Sequence, residues 1–282
     1  MIEILKTEQQ LRKFTGAARQ AGKSIGVVPT MGALHEGHLS LVQHSNDQTD
    51  CTIVTIFVNP TQFAANEDLS KYPRDLERDL ELLRQHQVDA VFAPDKETIY
   101  PQGFSTSVQP PAVAKLLEGE FRPEHFQGVA TVVLKLFNLV TADRAFFGQK
   151  DFQQVAVVKQ MVRDLNVPVE VVVCPIVRDQ DGLALSSRNV YLDQEQRQRA
   201  LSLSKTLQLA VEAIEQGESD GHIIMAEMNQ NLIDGGVSDI DYAVIADPVT
   251  LKAMNQVRKP AVLLVAAFVD QVRLIDNRVL EN

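Results

Sequence analysis

The chain has 282 residues, of which 45% are hydrophobic and 23% charged, and its formal net charge is -10. That balance fits an ordinary globular protein with one large domain or two average ones. The acidic excess excludes general binding of nucleic-acid backbones, which needs clustered Lys and Arg, while leaving room for a small anion in a locally basic pocket.

Taken in order, the N-terminal Met1-Ile2-Glu3-Ile4-Leu5-Lys6 lacks the regions of a secretory signal. The expectation is a cytoplasmic protein with no membrane attachment. Strands are predicted at Ser24–Val28, Thr52–Val58, Ala90–Ala93, Ala145–Phe147 and Val169–Val173. Several are near-continuous apolar runs, the pattern of strands covered on both faces. Helical stripes fall between them at Leu76, Leu80 and Leu83, at Val129, Val132, Val133, Leu136 and Val140, and at Val158, Met161, Val162 and Leu165. Strands alternating with helices predict an α/β fold with a Rossmann-like, doubly wound parallel sheet.

Near Pro175 the pattern changes. Residues 178–190 read as a loop, followed by a helical stripe at Leu203, Leu207, Ala210, Val211 and Ile214 and a second helix from about Asp220 to Leu232. Strand-like runs follow at Asp241–Ile245, Ala261–Phe268 and Val272–Ile275, and the short link Val269-Asp270-Gln271 suggests a hairpin. Ala261 to Val269, the longest strongly apolar run, is too short to span a bilayer. The division expected is a Rossmann-like domain over residues 1–176 and a smaller C-terminal α+β domain over 177–282. Cys51 and Cys174 sit in apolar runs and read as buried free thiols, not as a disulfide or a metal site.

The segment richest in chemistry is Pro29-Thr30-Met31-Gly32-Ala33-Leu34-His35-Glu36-Gly37-His38, between the first predicted strand and a helix-like stretch. A helix start offers unpaired N–H groups and partial positive charge, and so can seat a phosphate. Gly37 lets a ligand approach the backbone, and His35 and His38 can face the same way on a first turn. Two surface imidazoles at a helix start would read the same, and the pair alone does not separate these readings. A zinc-protease site is excluded by spacing, because it needs histidines four apart.

Five further segments stand out, four of them carrying candidate chemistry. In Phe57-Val58-Asn59-Pro60-Thr61-Gln62-Phe63, the amides of Asn59 and Gln62 both donate and accept, which suits a hydroxy acid. Tyr72-Pro73-Arg74 is expected to start the next helix, with the proline at its first position. In Gly148-Gln149-Lys150-Asp151-Phe152-Gln153-Gln154, Lys150 can neutralise phosphate and Asp151 can accept from ribose hydroxyls. In Leu185-Ser186-Ser187-Arg188-Asn189, two hydroxyls and a guanidinium can grip a triphosphate. Arg122, in the segment Gly119–Gly128, could serve an anionic substrate or a surface ion pair. Walker A, dinucleotide-glycine and nucleophile-elbow motifs are absent from the sequence.

Together these segments closely resemble the pantoate–β-alanine ligase (pantothenate synthetase) family of the nucleotidyltransferase superfamily. The resemblance runs in order through Pro29–His38, Phe57–Phe63, Tyr72–Arg74, Arg122–Val133, Gly148–Gln154 and Ser186–Leu192. It implies an ATP-dependent, AMP-forming ligase. The carboxylate of pantoate attacks the α-phosphate of ATP to give pantoyl adenylate and pyrophosphate. The amine of β-alanine then displaces AMP to give pantothenate. Magnesium accompanies ATP, and the family implies a homodimer with a mobile C-terminal cover. By this resemblance Met31, His35, Gly37 and His38 meet ATP, and Lys150, Ser186, Ser187 and Arg188 clamp its phosphates. Gly148 and Asp151 hold the ribose, Val177 meets adenine, and Gln62 and Gln154 hold pantoate. Leu185 departs from the family, where methionine is common, by an apolar swap of similar volume. The competing readings are a nucleotidyltransferase that stops at a nucleotide conjugate and a non-enzymatic nucleotide-binding regulator. A tRNA synthetase is disfavoured by the acidic charge.

Overall fold

The structure, a computed structural model, describes residues 2–64, 68–70, 72–237 and 239–281. The chain forms two compact units. The first comprises Met1–Ala114, Arg122–Gly148 and Gln154–Pro175; the second comprises Lys115–Phe121, Gln149–Gln153 and Ile176–Asn282.

The first unit is built on six strands: Glu3–Leu5 (β1), Ile25–Thr30 (β2), Cys51–Ile56 (β3), Ala90–Phe92 (β4), Arg144–Gly148 (β5) and Glu170–Cys174 (β6). All neighbours pair in parallel, in the order β1-β4-β3-β2-β5-β6. Alternate side chains feed two cores. Val27, Ile53, Phe92 and Phe147 pack in one with Leu11, Val129, Val158 and Met161. Val28, Val54, Val91 and Phe146 pack in the other with Leu39, Val42, Leu80 and Leu83. This two-sided burial explains why the strands read as unbroken apolar runs.

The helices of these layers are Glu8–Gln20 (α1), Glu36–Asn46 (α2), Leu76–Arg84 (α3), the short Lys96–Ile99 (α4), His125–Val140 (α6) and Phe152–Asp164 (α7); the single turn Glu118–Phe121 (α5), which precedes α6 in the chain, belongs to the second unit. Helix α1 starts on a reciprocal cap between Thr7 and Gln10. Sheet order reverses at β2: the chain steps outward through β3 and β4 on one side, and through β5 and β6 on the other. Ligands of such sheets collect beyond the carboxyl ends of the strands at this switch point. The carboxyl end of β2 is where the histidine turn begins.

Two local expectations change. Strand β1 is absent from the sequence reading, because three residues give too short a pattern to register. Pro73 does not open α3. Asp75 caps that helix through a bond from the Arg78 N–H, and the helix begins at Leu76. A carboxylate that satisfies a helix-end donor fixes the start better than a proline that only tolerates one.

In the second unit, Gln194–Glu215 (α8) and Gly221–Asp234 (α9) cover an antiparallel sheet of Asp239–Ala246 (β7), Ala261–Val269 (β8) and Val272–Leu280 (β9), in the order β7-β8-β9. Leu203, Leu207, Ile224 and Met228 pack on Ile245, Leu263 and Val265. The β8–β9 connection is the tight hairpin expected, with Val269 opposite Val272 and Asp270 at φ 53°. Strand β9 runs five residues past its predicted end. The polar pair Asp276-Asn277 breaks the apolar pattern, yet both residues are buried. The expected loop at 178–190 contains an antiparallel bridge between Arg178 and Ala184 and leads into a 3-10 turn at Ser187–Tyr191. Among the described residues no helix is long and apolar enough to cross a membrane.

Candidate active site

In the first unit the histidine turn is set by hydrogen bonds from outside itself. Gly32 takes φ 81°, and its N–H donates to Thr30 Oγ1 at 3.2 Å. The next two N–H groups, of Ala33 and Leu34, donate to Asp79 Oδ2 and Oδ1 at 2.9 and 2.8 Å. Asp79 projects from α3 and is 1% exposed. Burial pushes its pKa up, against the pull of those two N–H groups and of Arg78. A β-carbon on Gly32 would lie 3.0 Å from Asp79 Oδ2, so glycine is needed for both the left-handed backbone and the close approach.

His35 caps α2: its Nδ1 accepts the Gly37 N–H at 3.2 Å. The His35 and His38 rings stand 4.1 Å apart at 41°. Two imidazoles and a helix N-terminus therefore converge at the carboxyl end of a central strand. The sequence pair alone left surface histidines and a phosphate seat undecided; in the structure both residues are half-buried. Among the described residues no group of three or more His, Cys, Asp or Glu could hold a metal ion.

The amide segment adjoins the turn. Gln62 is buried, and its Nε2 donates to Met31 Sδ at 3.0 Å. Asn59, read from sequence as a second ligand amide, is consumed internally. Its Nδ2 donates to Gln62 Oε1 and to the Gly128 carbonyl, while its Oδ1 accepts from the Thr61 N–H and hydroxyl and from Tyr100 OH. Asn59 thus orients Gln62. Arg122 Nη1 lies 3.3 Å from His125 Nε2, and His125 Nδ1 lies 2.8 Å from the Gln62 carbonyl. A guanidinium can only donate and a carbonyl only accept, so this geometry selects the tautomer with the proton on Nδ1. Arg122 therefore reaches the Gln62 backbone through one imidazole. Gly148 ends β5, and Gln154 is half-buried in α7.

In the second unit, Lys150 sits in the 3-10 turn Gln149–Asp151, with Asp151 exposed. Asn277 on β9 donates to the Gln149 and Lys150 carbonyls at 3.0 and 2.9 Å. The neighbouring Asp276 holds Arg178 through two bonds of 2.6 and 2.9 Å. The Leu185 N–H donates to the Val177 carbonyl at 3.0 Å. Ser186 then caps the turn carrying Ser187 and Arg188, its Oγ accepting the Arg188 N–H at 3.3 Å. The three residues expected to grip phosphates thus stand on one capped turn.

The same unit contains a largely enclosed ionic cluster around the buried Glu118 that the sequence reading missed. Arg273 donates to both Glu118 oxygens at 2.9 and 2.7 Å and to Asp241 at 2.7 Å, and Tyr242 OH donates to Glu118 at 2.7 Å. Burial works against the Arg273 charge, yet the two carboxylates hold its pKa above the ordinary value. Burial, followed by the Glu118 charge, pushes Tyr242 well up.

With this geometry described, comparison with known proteins is specific. Residues 3–279 match the family model described as pantoate-beta-alanine ligase. A pantothenate synthetase of Moorella thermoacetica is 52% identical over 280 residues, covering 99% of each chain. One from Thermotoga petrophila is 50% identical over 279 residues, covering 99% of this chain and 100% of that one. The crystal structure of pantothenate synthetase from Thermus thermophilus superposes with a TM-score of 0.91 at 44% identity, over the whole of both chains. That of pantoate-beta-alanine ligase from Francisella tularensis, complexed with beta-gamma ATP and β-alanine, gives 0.83 at 33% identity, covering 99% of this chain and 98% of that one.

Proposed function

The chain belongs to the pantoate–β-alanine ligase family, and from that premise we propose that it condenses pantoate with β-alanine through a pantoyl-adenylate intermediate. The single observation that carries this reading is the histidine turn: a capped helix start bearing His35 and His38 at the carboxyl end of β2, where the sheet order reverses.

The reaction takes place in two displacements. A pantoate carboxylate oxygen bonds to the α-phosphorus of ATP as the bond to the β,γ-pyrophosphate breaks. The β-alanine nitrogen then bonds to the acyl carbon, AMP leaves with the acyl–oxygen bonding pair, and the amine gives up a proton. Both nucleophiles are substrates, so the protein supplies position and charge stabilisation. His35 and His38 stabilise the charge that grows on the leaving pyrophosphate, with Met31 and Gly37 lining the backbone approach. Lys150, Ser186, Ser187 and Arg188 hold the phosphates, Gly148 and Asp151 the ribose, and Val177 the adenine. Gln62, with its amide oriented by Asn59, and Gln154 hold pantoate. ATP would enter as its magnesium complex, the ion supplying charge neutralisation for the phosphates beside Lys150 and Arg188. The protein works in the cytoplasm as a homodimer, with residues 1–176 as its ATP- and pantoate-binding domain and residues 177–282 as its cover domain.

The test is product stoichiometry with pantoate, β-alanine, ATP and magnesium together. Pantothenate, AMP and pyrophosphate should appear in equal amounts, and leaving out pantoate should abolish all three. Release of ADP and phosphate would overturn the reading. Accumulation of a nucleotide conjugate that β-alanine does not consume would also overturn it. His35→Ala and His38→Ala should each slow pyrophosphate release by ~100-fold or more, the usual cost of one lost preorganised donor.

A further inference from the structure

Asn277 lies in β9 and is 1% exposed. A buried primary amide must find partners for its donors and its oxygen. Here its Nδ2 donates to the carbonyls of two successive residues, Gln149 at 3.0 Å and Lys150 at 2.9 Å, and its Oδ1 accepts from Gln149 Nε2 at 3.1 Å. Those two carbonyls belong to the two peptide groups that flank the Lys150 Cα. Each peptide group is planar and trans, so fixing both planes fixes the φ and ψ of Lys150 and with them the direction of its side chain. Asp276, next along the strand and therefore on its other face, holds Arg178 by two bonds, and Arg178 Nη1 also donates to the Gly182 carbonyl at 3.1 Å. Two adjacent residues of β9 thus fasten both the lysine turn and the loop that leads to Ser186.

We propose that Asn277 is a positioning residue for the first half-reaction, aiming Lys150 at the nucleotide phosphates. The inference rests on the reading of Lys150 as a phosphate-binding residue. ATP–pyrophosphate exchange in the presence of pantoate reads the first half-reaction. Pantothenate formation from preformed pantoyl adenylate and β-alanine reads the second. Asn277→Asp keeps the shape of the side chain but loses both donors. Gln149→Ala removes one of the three bonds and leaves β9 intact.

A displacement of about 1 Å can cost ~100-fold in such a step. Asn277→Asp should therefore lower exchange by at least ~10-fold, and Gln149→Ala by a few-fold, while the second half-reaction stays within about twofold of the parent. In a Lys150→Ala background, Asn277→Asp should add no more than about twofold, because the two residues act as one unit. Equal loss in both half-reactions, or full multiplication with Lys150→Ala, would overturn the proposal. Full exchange in Lys150→Ala alone would overturn the underlying reading of Lys150, a distinguishable result. If Asn277→Asp does not fold, Gln149→Ala decides in the same assays, and its exchange rate remaining at the parent level would overturn the proposal.

Discussion

The carboxylate of Asp79 accepts two successive backbone N–H groups from the turn that carries the histidines, and almost none of it meets water. Hydrogen bonds to a charged group contribute about 1.5–3 kcal/mol each, and a buried donor left without a partner costs a comparable amount. Asp79→Asn keeps the volume but presents an N–H₂ group where one acceptor stood. It should destabilise the protein by about 2 kcal/mol in urea unfolding and slow pyrophosphate release by disordering the seat of His35. Unchanged stability together with unchanged release would refute this account of the turn. The sequence carried a signal that was available but unread: Leu76, Asp79, Leu80 and Leu83 share one helical stripe, and a carboxylate on a buried stripe needs partners. The opposite error occurred at Asn59, whose amide suggested a ligand although its bonding capacity is spent within the fold. Side-chain type reveals what a residue can bond, whereas the partner it chooses depends on tertiary neighbours.

At the scale of elements, α6 lies against the 3-10 turn Pro60–Gln62 at a distance that only glycine permits. A β-carbon on Gly128 would sit 2.3 Å from the Thr61 carbonyl oxygen and 2.7 Å from the Gln62 Cα. Both obstacles are backbone, so they cannot swing aside as a long side chain would. Gly128→Ala should push the turn away and break the Asn59 bond to the Gly128 carbonyl. It should cost about 1–3 kcal/mol of stability, as overpacking does. It should also raise the KM for pantoate more than that for ATP, because the turn carries Gln62. Steady-state kinetics with each substrate varied would check this, and an equal rise in both values would count against it. The sequence did reveal α6 itself, since a stripe of five apolar residues at helical spacing survives any context. It gave no sign that Gly128 was the contact point, because a glycine inside a helix only lowers propensity until its neighbour across the groove is known.

At the scale of the molecule, the second unit is assembled from three stretches of chain, two of which lie upstream of the rest and are separated from it by parts of the first unit. Glu118 and Arg273 are 155 residues apart in sequence, and Asn277 is 127 residues from Lys150. The sequence reading divides the chain at 176/177, where strand–helix alternation stops, and the longest stretch of the second unit runs Ile176–Asn282. The contribution of 115–121 and 149–153 was not legible, since each is a short stretch whose partners leave no local trace. Cutting the chain between residues 176 and 177 therefore leaves the second unit incomplete. Arg273, half-buried, would lose its two-oxygen partner, and Asn277 would lose both carbonyls. Removing one member of a buried ion pair costs about 3–5 kcal/mol, a large share of the ~5–15 kcal/mol that holds a domain folded. A fragment of residues 177–282 should accordingly show no cooperative thermal transition on its own and should gain one when residues 1–176 are supplied in trans. In the intact chain, Glu118→Ala should lower the urea midpoint by an amount corresponding to about 3 kcal/mol. A cooperative transition in the lone fragment, at the temperature seen for the whole protein, would show that the upstream segments contribute nothing to the second unit's stability.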